Sequence, residues 1–385
     1  MNDTGCNFKG FGLVTKMNVD EKFMKKALEL ARKGYGITSP NPMVGAVVVK
    51  NGKIISEGYH QGPGKPHAEA EALEKAGKEA YGSTLYVNLE PCCHYGRTPP
   101  CVDRIIEAGV KKVVSAMIDP NPLVSGKGFK KLIEHGIAVE CGVLEKEAKK
   151  LNEVFIKYIT TGKPFIICKY AMTLDGKIAA KTGDAKWISG VLSRKFVHQL
   201  RYGVDAILTG IGTVIADDPL LNCRLNDKIE KQPIRIILDS NLRIPLNSKL
   251  LHDKGSKTII VTTEKYNYSK AEKLKALGIE IIFSPLRDNR VDVKWLIKYL
   301  GEREITSILV EGGSSVITSF VELGLIDKFV VFVAPKIVGG VDAPTPVAGV
   351  GIERMEGAVL LRDIEVSKIG DDVMITAYMM NQNNK

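Results

Sequence analysis

Hydrophobic and polar positions follow helical and strand spacings in turn along most of the chain, and the succession restarts once. In the first half, Asp20 can cap a helix running to about Lys33, because the apolar residues after it recur at spacings of three and four. Helices are then predicted from 67 to about 76, from 101 to about 109 and at 126–134, with strands at 43–50, 53–59, 84–89, 113–118 and 137–142. This order predicts a three-layer α/β domain.

The second half repeats the alternation on a larger scale. A helix from Glu145 to about Thr160 leads out of the first domain, and Gly162 and Pro164 mark a linker. Helices are predicted at 193–202, 269–277, 291–298 and 314–323, and strands at 165–171, 206–210, 234–238, 258–262, 279–283, 307–311 and 328–334. Two last strands, 359–369 and 372–379, are expected to be antiparallel. We therefore expect an N-terminal extension at 1–16 and domains at 17–160 and 163–385.

Composition and charge narrow the class of protein. The chain has 385 residues, of which 44% are hydrophobic and 25% charged, as in a globular protein of two domains. No apolar run approaches the roughly 20 residues of a membrane span, and residues 1–6 lack a signal peptide's apolar stretch, so a cytoplasmic protein with seven reduced cysteines is expected. The net charge of +10 favours anionic partners. Without a basic tract interleaved with aromatics, phosphorylated small molecules are favoured over nucleic acid.

One stretch of the first half carries the residues of a catalytic metal site. His67, Cys92 and Cys101 supply one imidazole and two thiolates, which suit a tetrahedral Zn²⁺ with its fourth position open for water. Glu69, two residues after His67, is placed to take a proton from that water and pass it to a leaving amine. The H-x-E pattern with a later Pro-Cys is typical of zinc deaminases.

The cysteine spacing departs from the usual pattern. Eight residues separate Cys92 from Cys101, where P-C-x-x-C has two. Cys93 and His94 lie beside Cys92, and chemistry alone does not choose between the two cysteines. We prefer Cys92 because Pro91 precedes it. The alternative is three buried thiols and a helix-end histidine without metal, which the concentration of cysteines in this region disfavours.

The second half has weaker signals of its own. Glycine turns at 209–213 and 311–315 each join a strand to a helix, where backbone N–H groups can hold a phosphate, but neither is the dinucleotide fingerprint. Asp217 and Asp218 could provide an N-cap and a turn. Arg201 and Arg224 could clamp a phosphate or lie on the surface, and the sequence alone slightly favours the surface.

Taken together, the motifs of both halves resemble the bifunctional riboflavin biosynthesis deaminase–reductase family. The segments that carry the resemblance are 39–42, 67–69, 90–101 and 119–122 in the first half and 173–177, 187–189, 216–220, 238–240 and 310–313 in the second. The resemblance extends from about Met17 to the C-terminus. The long spacing to Cys101 is itself a feature of this family.

The resemblance implies a cytidine-deaminase-like domain followed by a dihydrofolate-reductase-like α/β domain. The first would remove the 2-amino group of 2,5-diamino-6-ribosylamino-4(3H)-pyrimidinone 5′-phosphate, with His67, Cys92 and Cys101 as zinc ligands and Glu69 as proton shuttle. The second would use NADPH to reduce the ribosyl group to ribityl.

The resemblance also implies contact residues in the second domain. Cofactor contacts align with Ala171, Trp187, Thr213, Asp217, Ser240, Gly313, Ser314, Ser315, Val316, Ile317, Thr318 and Ser319. Substrate contacts align with Ala185, Arg201, Leu221, Arg224 and Glu311. The family often has a hydroxyl residue where this chain has Ala185. Two arginines suit a 5′-phosphate, and the helix start at Gly313 suits the cofactor pyrophosphate.

Two other functions are weighed against the riboflavin enzyme. A nucleic-acid base deaminase with an RNA-binding second domain would account for the H-x-E pattern and the net charge, but not for the cysteine spacing. A non-catalytic zinc and nucleotide sensor would have no use for Glu69. The family also implies a homo-oligomer, at least a dimer.

Overall fold

The computed structural model describes residues 18–94, 99–225 and 231–380. The predicted extension at 1–16 lies outside these residues. The chain divides into two compact units, made from the described parts of Met1–Gly34 and Met43–Leu151 and from those of Tyr35–Pro42 and Asn152–Lys385. None of the described helices combines the length and apolar character that a bilayer crossing requires.

The first unit is built on a five-stranded sheet. Its elements in chain order are α1 (Val19–Arg32), β1 (Gly45–Lys50), β2 (Lys53–Tyr59), α2 (Ala68–Ala76), β3 (Thr84–Val87), α3 (Cys101–Glu107), β4 (Lys112–Ser115), α4 (Lys127–Glu134), β5 (Ala138–Cys141) and α5 (Glu145–Leu151), with a short 3-10 turn at Gly77–Ala80. The strand order is β2-β1-β3-β4-β5. Strand β1 is antiparallel to both of its neighbours, whereas β3, β4 and β5 are parallel.

Two glycines show that helices cover both faces of this sheet. A Cβ on Gly45 would lie 2.1 Å from the Ala27 carbonyl oxygen of α1, and one on Gly58 would lie 2.3 Å from the Ala68 carbonyl oxygen of α2. Gly58 is paired with Ala46, the residue after Gly45, so the two glycines point to opposite faces. The predicted three-layer arrangement is therefore confirmed.

The N-cap residue of α1 differs from the predicted one. Asn18, not Asp20, is the N-cap: its side chain accepts the Asp20 N–H, and the Glu21 carboxylate accepts the Asn18 N–H in a capping box. Asp20 instead lies in the first turn, where its charge complements the helix dipole, and accepts the Tyr86 hydroxyl at 2.5 Å.

The helix predicted from Glu145 to about Thr160 is wrong as a single element. It is two helices, α5 and α6 (Glu153–Thr161), interrupted at Asn152, whose φ and ψ are −103° and 23°. The break coincides with the division between the two units at Leu151 and Asn152.

The second unit is built on a nine-stranded sheet. The elements after α6 are β6 (Phe165–Thr173), α7 (Val191–Gly203), β7 (Ala206–Gly210), α8 (Ile211–Asp217), β8 (Ile234–Leu238), α9 (Lys249–His252), β9 (Thr258–Thr262), α10 (Tyr268–Ala276), β10 (Glu280–Phe283), β11 (Leu286–Arg287), β12 (Arg290–Val291), α11 (Val293–Glu302), β13 (Ser307–Val310), α12 (Ser314–Glu322), β14 (Lys328–Ala334), β15 (Leu361–Ile369) and β16 (Asp372–Met379), with a 3-10 turn at Met355–Gly357. The large sheet has the order β10-β9-β8-β7-β13-β6-β14-β16-β15, and β11 and β12 form a separate hairpin.

Most of the large sheet is parallel and buried on both faces. Successive residues of β6 alternate between two core clusters, Ile166 and Cys168 in one and Phe165 and Ile167 in the other. Burial on both faces explains why these strands are continuous apolar runs in the sequence. The antiparallel C-terminal strands are confirmed, since β16 pairs antiparallel with both β14 and β15.

A short piece of the N-terminal sequence also belongs to the second unit. Within Tyr35–Pro42, the Ser39 hydroxyl donates to the Asp205 carboxylate at 2.8 Å, and the Tyr35 hydroxyl donates to the Gln199 carbonyl oxygen at 3.3 Å. Asp205 also accepts the N–H and the hydroxyl of Thr306, at 2.9 and 2.7 Å. Its carboxylate thereby joins three separate segments of the chain.

Candidate functional sites

The first candidate site lies where two helices of the first unit begin. His67 immediately precedes α2, and Cys101 is the first residue of α3. The His67 Nδ1 lies 3.2 Å from the Cys101 Sγ and 3.5 Å from the Cys92 Sγ. The three donor atoms lie within 4.8 Å of one another. Among the residues that the structure describes, they form a group that could hold a metal ion.

These separations fit a zinc ion. Bond lengths of about 2.3 Å to sulfur and 2.05 Å to nitrogen, at a tetrahedral angle, place N and S about 3.6 Å apart. The Cys101 N–H also donates to the Cys92 Sγ at 3.3 Å, which fixes that sulfur against the start of α3. The structure brings Cys92 rather than Cys93 into this described group, as preferred from the sequence.

Local hydrogen bonds and charges prepare the ligands. The pKa of the Cys92 thiol is lowered by hydrogen bonds from Cys101 and His67, so Cys92 is the first of the pair to ionise. The shared proton correspondingly raises the pKa of Cys101. The pKa of His67 is raised by its hydrogen bond to Cys92. A thiolate beside a helix N-terminus is a ready ligand for a cation.

Glu69 lies inside this site and is 4% exposed. Burial raises the pKa of its carboxyl to about 7, with Cys92 raising and His67 lowering it. The neighbouring Cys101 side chain also lowers this pKa. A carboxyl with such a pKa both takes and releases protons near neutral pH.

Glu90 was not among the residues singled out from the sequence. It is 2% exposed, and its two carboxylate oxygens accept four backbone N–H groups at 2.9 to 3.3 Å, those of Asp119, Gly126, Gly128 and Phe129. Since Glu90 is two residues before Cys92, it fixes the metal-binding segment to the 119–129 loop. The signal in the sequence that could have identified Glu90 was its position directly before Pro91.

The second candidate site is a cavity of about 590 Å³ in the second unit. Ten of the residues expected from the sequence line it: Ala171, Ala185, Trp187, Arg201, Thr213, Asp217, Arg224, Glu311, Gly313 and Ser314. Seven others do not line it: Leu221, Ser240, Ser315, Val316, Ile317, Thr318 and Ser319. Residues from β6, α7, α8 and the end of β13 thus converge on one space.

Arg201 and Glu311 form the charged centre of this cavity. The Arg201 guanidinium donates to both Glu311 oxygens, at 2.6 and 3.0 Å, and to the Asn222 carbonyl oxygen at 2.9 Å. The Arg201 side chain is only 13% exposed, so the surface position favoured from the sequence is wrong. Burial raises the pKa of Glu311, but Arg201 and Lys169 outweigh it and lower that pKa to about 2.

Lys169 is a cavity residue that the sequence analysis missed. It lies on β6, its Nζ is 3.7 Å from the Glu311 carboxylate, and its side chain is 17% exposed. Burial lowers the pKa of its ammonium, while Glu311 opposes this. The signal in the sequence was a lysine within a predicted apolar strand, because a buried ammonium group needs a partner of opposite charge.

Trp187 forms part of the cavity wall and is 65% exposed. Arg194 stacks over its ring, with 4.5 Å from the guanidinium carbon to the ring centre, and donates to the Ser189 carbonyl oxygen at 2.5 Å. Ala185 lies nearby on the same wall, but its methyl group offers no hydrogen bond.

The start of α12 presents backbone rather than side chains. Gly313 is its N-cap, and the Ser314 hydroxyl donates to the Thr345 carbonyl oxygen. Ile317 is completely buried, so its side chain faces the core rather than a ligand. The Thr318 and Ser319 hydroxyls donate within the helix, to the carbonyls of Ser314 and Ser315.

Outside the cavity, the turns after α8 and β8 hold the remaining expected residues. Asp218 is the C-cap of α8, with φ of 42°, rather than an N-cap. Leu221 is 4% exposed. The Ser240 hydroxyl accepts the Val291 N–H at 3.1 Å.

Family models match both halves of the chain. Residues 17–117 match the cytidine and deoxycytidylate deaminase zinc-binding region, and residues 164–375 match the RibD C-terminal domain. The riboflavin biosynthesis protein RibD of Aquifex aeolicus is 49% identical, over 93% of this chain and 98% of its own. The chain belongs to the RibD family. The RibD of Escherichia coli is 40% identical, over 92% of this chain and 98% of its own.

Solved structures of RibD proteins have the same fold. A structure of RibD from Acinetobacter baumannii superposes with a TM-score of 0.85 at 38% identity, covering 95% of this chain and all of its own. A deaminase/reductase from Thermotoga maritima gives 0.80 at 41% identity, covering 94% and 99%. This RibD-family chain is thus a bifunctional deaminase and reductase of riboflavin biosynthesis, with zinc and NADPH as its cofactors.

Proposed function

We propose that residues 17–160 deaminate 2,5-diamino-6-ribosylamino-4(3H)-pyrimidinone 5′-phosphate and that residues 163–385 reduce the ribosyl group of the product to ribityl. The Thermotoga maritima relative is described as a diaminohydroxyphosphoribosylaminopyrimidine deaminase and 5-amino-6-(5-phosphoribosylamino)uracil reductase. The observation that carries the assignment to this chain is the convergence of His67, Cys92 and Cys101 around a buried Glu69.

In the deaminase, His67, Cys92 and Cys101 would hold the zinc. A zinc ion bound there supplies Lewis-acid activation of water. Glu69 takes the proton of the attacking water and delivers it to the leaving amine. Burial matches the Glu69 carboxyl to this task, because its pKa of about 7 lets it accept and donate near neutral pH.

In the reductase, the chain supplies orientation and charge. NADPH supplies the hydride when it is bound. Of the cofactor contacts that the resemblance implies, those that line the cavity and would face NADPH are Ala171, Trp187, Thr213, Asp217, Gly313 and Ser314. The backbone N–H groups at the start of α12 would hold its pyrophosphate.

The substrate would lie against Ala185, Arg201, Arg224 and Glu311, the expected substrate contacts that line the cavity. Glu311 is held in its ionised form by Arg201 and offers acceptors to sugar hydroxyls. Within the described residues, Arg224 has a single guanidinium partner, Asn222 Oδ1 at 3.0 Å. Its remaining donors are therefore available to the 5′-phosphate.

Supplying the diamino substrate to the zinc-loaded enzyme tests the proposal. Ammonia should appear first and NADPH oxidation should follow it, whereas the deaminated intermediate should support NADPH oxidation at once. NADPH oxidation that precedes ammonia release, or none with the intermediate, contradicts the proposed sequence.

We propose that the partners are small molecules and not nucleic acid, and that the enzyme works in the cytoplasm. Many described lysines are paired with carboxylates, as in Lys112 with Glu140 at 2.7 Å, which reduces the positive charge that they offer to a nucleic acid. The described cysteines are unpaired thiols, which fits a reducing compartment. Tight, salt-sensitive binding to tRNA would count against this proposal.

We further propose a homo-oligomer, at least a dimer. Strand β15 is an edge of the nine-stranded sheet, and Leu361, Ile364 and Val366 on it are 40, 61 and 66% exposed. An exposed edge strand can pair with another chain, and the apolar side chains exposed on β15 favour such pairing. Sedimentation of the wild type should show a dimer or larger assembly, and replacing Ile364 and Val366 with lysine should shift it toward monomer.

A further inference from the structure

His198 is a cavity residue that neither the motifs nor the alignment to the family singled out. It lies on α7 three residues before Arg201, so the two side chains emerge on the same face of the helix, and both line the cavity. Its ring accepts a hydrogen bond: the Arg224 backbone N–H donates to the His198 Nδ1 at 3.2 Å.

A second hydrogen bond joins residues 222–224 to His198. The Cys223 thiol donates to the His198 carbonyl oxygen at 3.2 Å, while the Cys223 N–H and carbonyl are bound by the side-chain amide of Gln232 at 2.8 and 2.9 Å. The Arg224 guanidinium donates to the Asn222 side chain within this segment. The place of Arg224 in the cavity therefore depends on how residues 222–224 dock against His198.

Burial and the nearby cations keep the His198 ring neutral, as this hydrogen bond requires. Burial lowers the pKa of His198 to about 4, together with the cations Arg201 and Arg224, against the opposing effects of Glu311 and the Asn222 backbone. A neutral ring whose Nδ1 accepts carries its proton on Nε2. A protonated ring would have no acceptor for the Arg224 N–H.

We propose that His198 is a positioning residue for substrate binding: its Nδ1 holds the backbone of Arg224 so that the guanidinium meets the 5′-phosphate. This rests on the proposed role of Arg224 in binding that phosphate. His198 thus acts through Arg224 and determines the preference for a phosphorylated substrate. It has no part in hydride transfer.

Calorimetric binding of ribose 5-phosphate to the full-length enzyme separates the two roles. Loss of one hydrogen bond should weaken binding by about tenfold in His198→Ala, and loss of a charged donor by about 100-fold in Arg224→Ala. The double variant should be no weaker than Arg224→Ala, since the histidine acts only through the arginine. His198→Asn, which keeps an acceptor near the Nδ1 position, should restore most of the affinity.

Kinetics and controls complete the test. His198→Ala should raise the KM of the reductase for its phosphorylated substrate about tenfold, with kcat and the Kd for NADPH unchanged, and should not alter kcat/KM for the dephosphorylated form. His252→Ala removes a ring on α9 that is bonded to the Leu246 carbonyl and should change none of these values. If His198→Ala does not fold, His198→Gln, which moves the acceptor by one methylene, replaces it.

The outcomes are distinguishable. Additive losses of about 1,000-fold in the double variant, or full activity and affinity in His198→Ala, overturn the positioning role. Unchanged ribose 5-phosphate binding in Arg224→Ala instead means that the proposed phosphate contact of Arg224 is wrong, and the role of His198 falls with it.

Discussion

Replacing Glu311 with glutamine should destabilise the second unit strongly, because it leaves two buried cations without their counter-charge. The Arg201 and Glu311 side chains are 13 and 9% exposed, and Lys169 lies 3.7 Å from the same carboxylate. Lowering the Glu311 pKa from 4.5 to about 2 corresponds to about 3 kcal/mol in favour of the ionised form, at roughly 1.4 kcal/mol per pKa unit. This agrees with the roughly 3–5 kcal/mol that breaking a buried ion pair costs.

Scanning calorimetry of the full chain measures this effect. The relevant transition is the one that added NADPH raises, since a ligand stabilises the unit that binds it. For a unit of this size each kcal/mol shifts Tm by about 2–4 °C, so Glu311→Gln should lower Tm by about 6–12 °C at pH 7. Glu311 has a lowered pKa in the folded state, so its contribution is complete above the unfolded value. The difference between wild type and variant should shrink as the pH falls from about 4.5 toward 2.

Glu280 provides a matched control on the same sheet. It is also bound by an arginine at two oxygens, Arg303 at 2.5 and 3.3 Å, and by Lys257 at 2.7 Å, but its side chain is 30% exposed. Solvent screening should limit the cost of Glu280→Gln to less than about 1 kcal/mol. If Glu311→Gln lowers Tm no more than Glu280→Gln, burial does not strengthen the Arg201 pair and the reasoning fails.

Three further predictions concern both sites. Glu69→Gln should abolish ammonia release while metal analysis still finds one zinc per chain, and surviving activity would exclude Glu69 as the proton carrier. Cys92→Ser should lose the zinc and Cys93→Ser should keep it; the reverse result would reassign the ligand. The pKa of His198 is lowered to about 4 in the folded state, so its contribution to stability is present above the unfolded value of about 6.5 and lost as the pH falls toward 4. Chemical denaturation should therefore show wild type losing stability relative to His198→Asn between pH 6.5 and 4.

The sequence predicted elements best where burial alone determines the pattern. The ends of β7, β8, β9, β14 and β16 are where the sequence pattern predicted them. In β9 and β14 every interior residue is apolar, as expected of strands covered on both faces. The zinc group was equally predictable, since its donors belong to residue types and spacings with few other uses.

What the sequence did not predict depends on contacts between distant segments. Apolar spacing continues through Asn152, so the break between α5 and α6 is marked locally only by the N-cap type of this residue. The buried position of Arg201 requires Glu311 opposite it, 110 residues later in the chain. Lys169 is acceptable within β6 only because the same carboxylate lies nearby. The burial of such charged side chains cannot be predicted from the sequence until their partner is known.

The inclusion of Tyr35–Pro42 in the second unit affects how the two activities can be studied separately. A fragment that starts at Asn152 omits Ser39 and Tyr35, and with them a hydroxyl donor to Asp205 and a cover for the end of α7. An isolated reductase should therefore be prepared with this octapeptide supplied in trans or joined by a linker. A single cut at residue 152 would leave this octapeptide on the wrong side of the division.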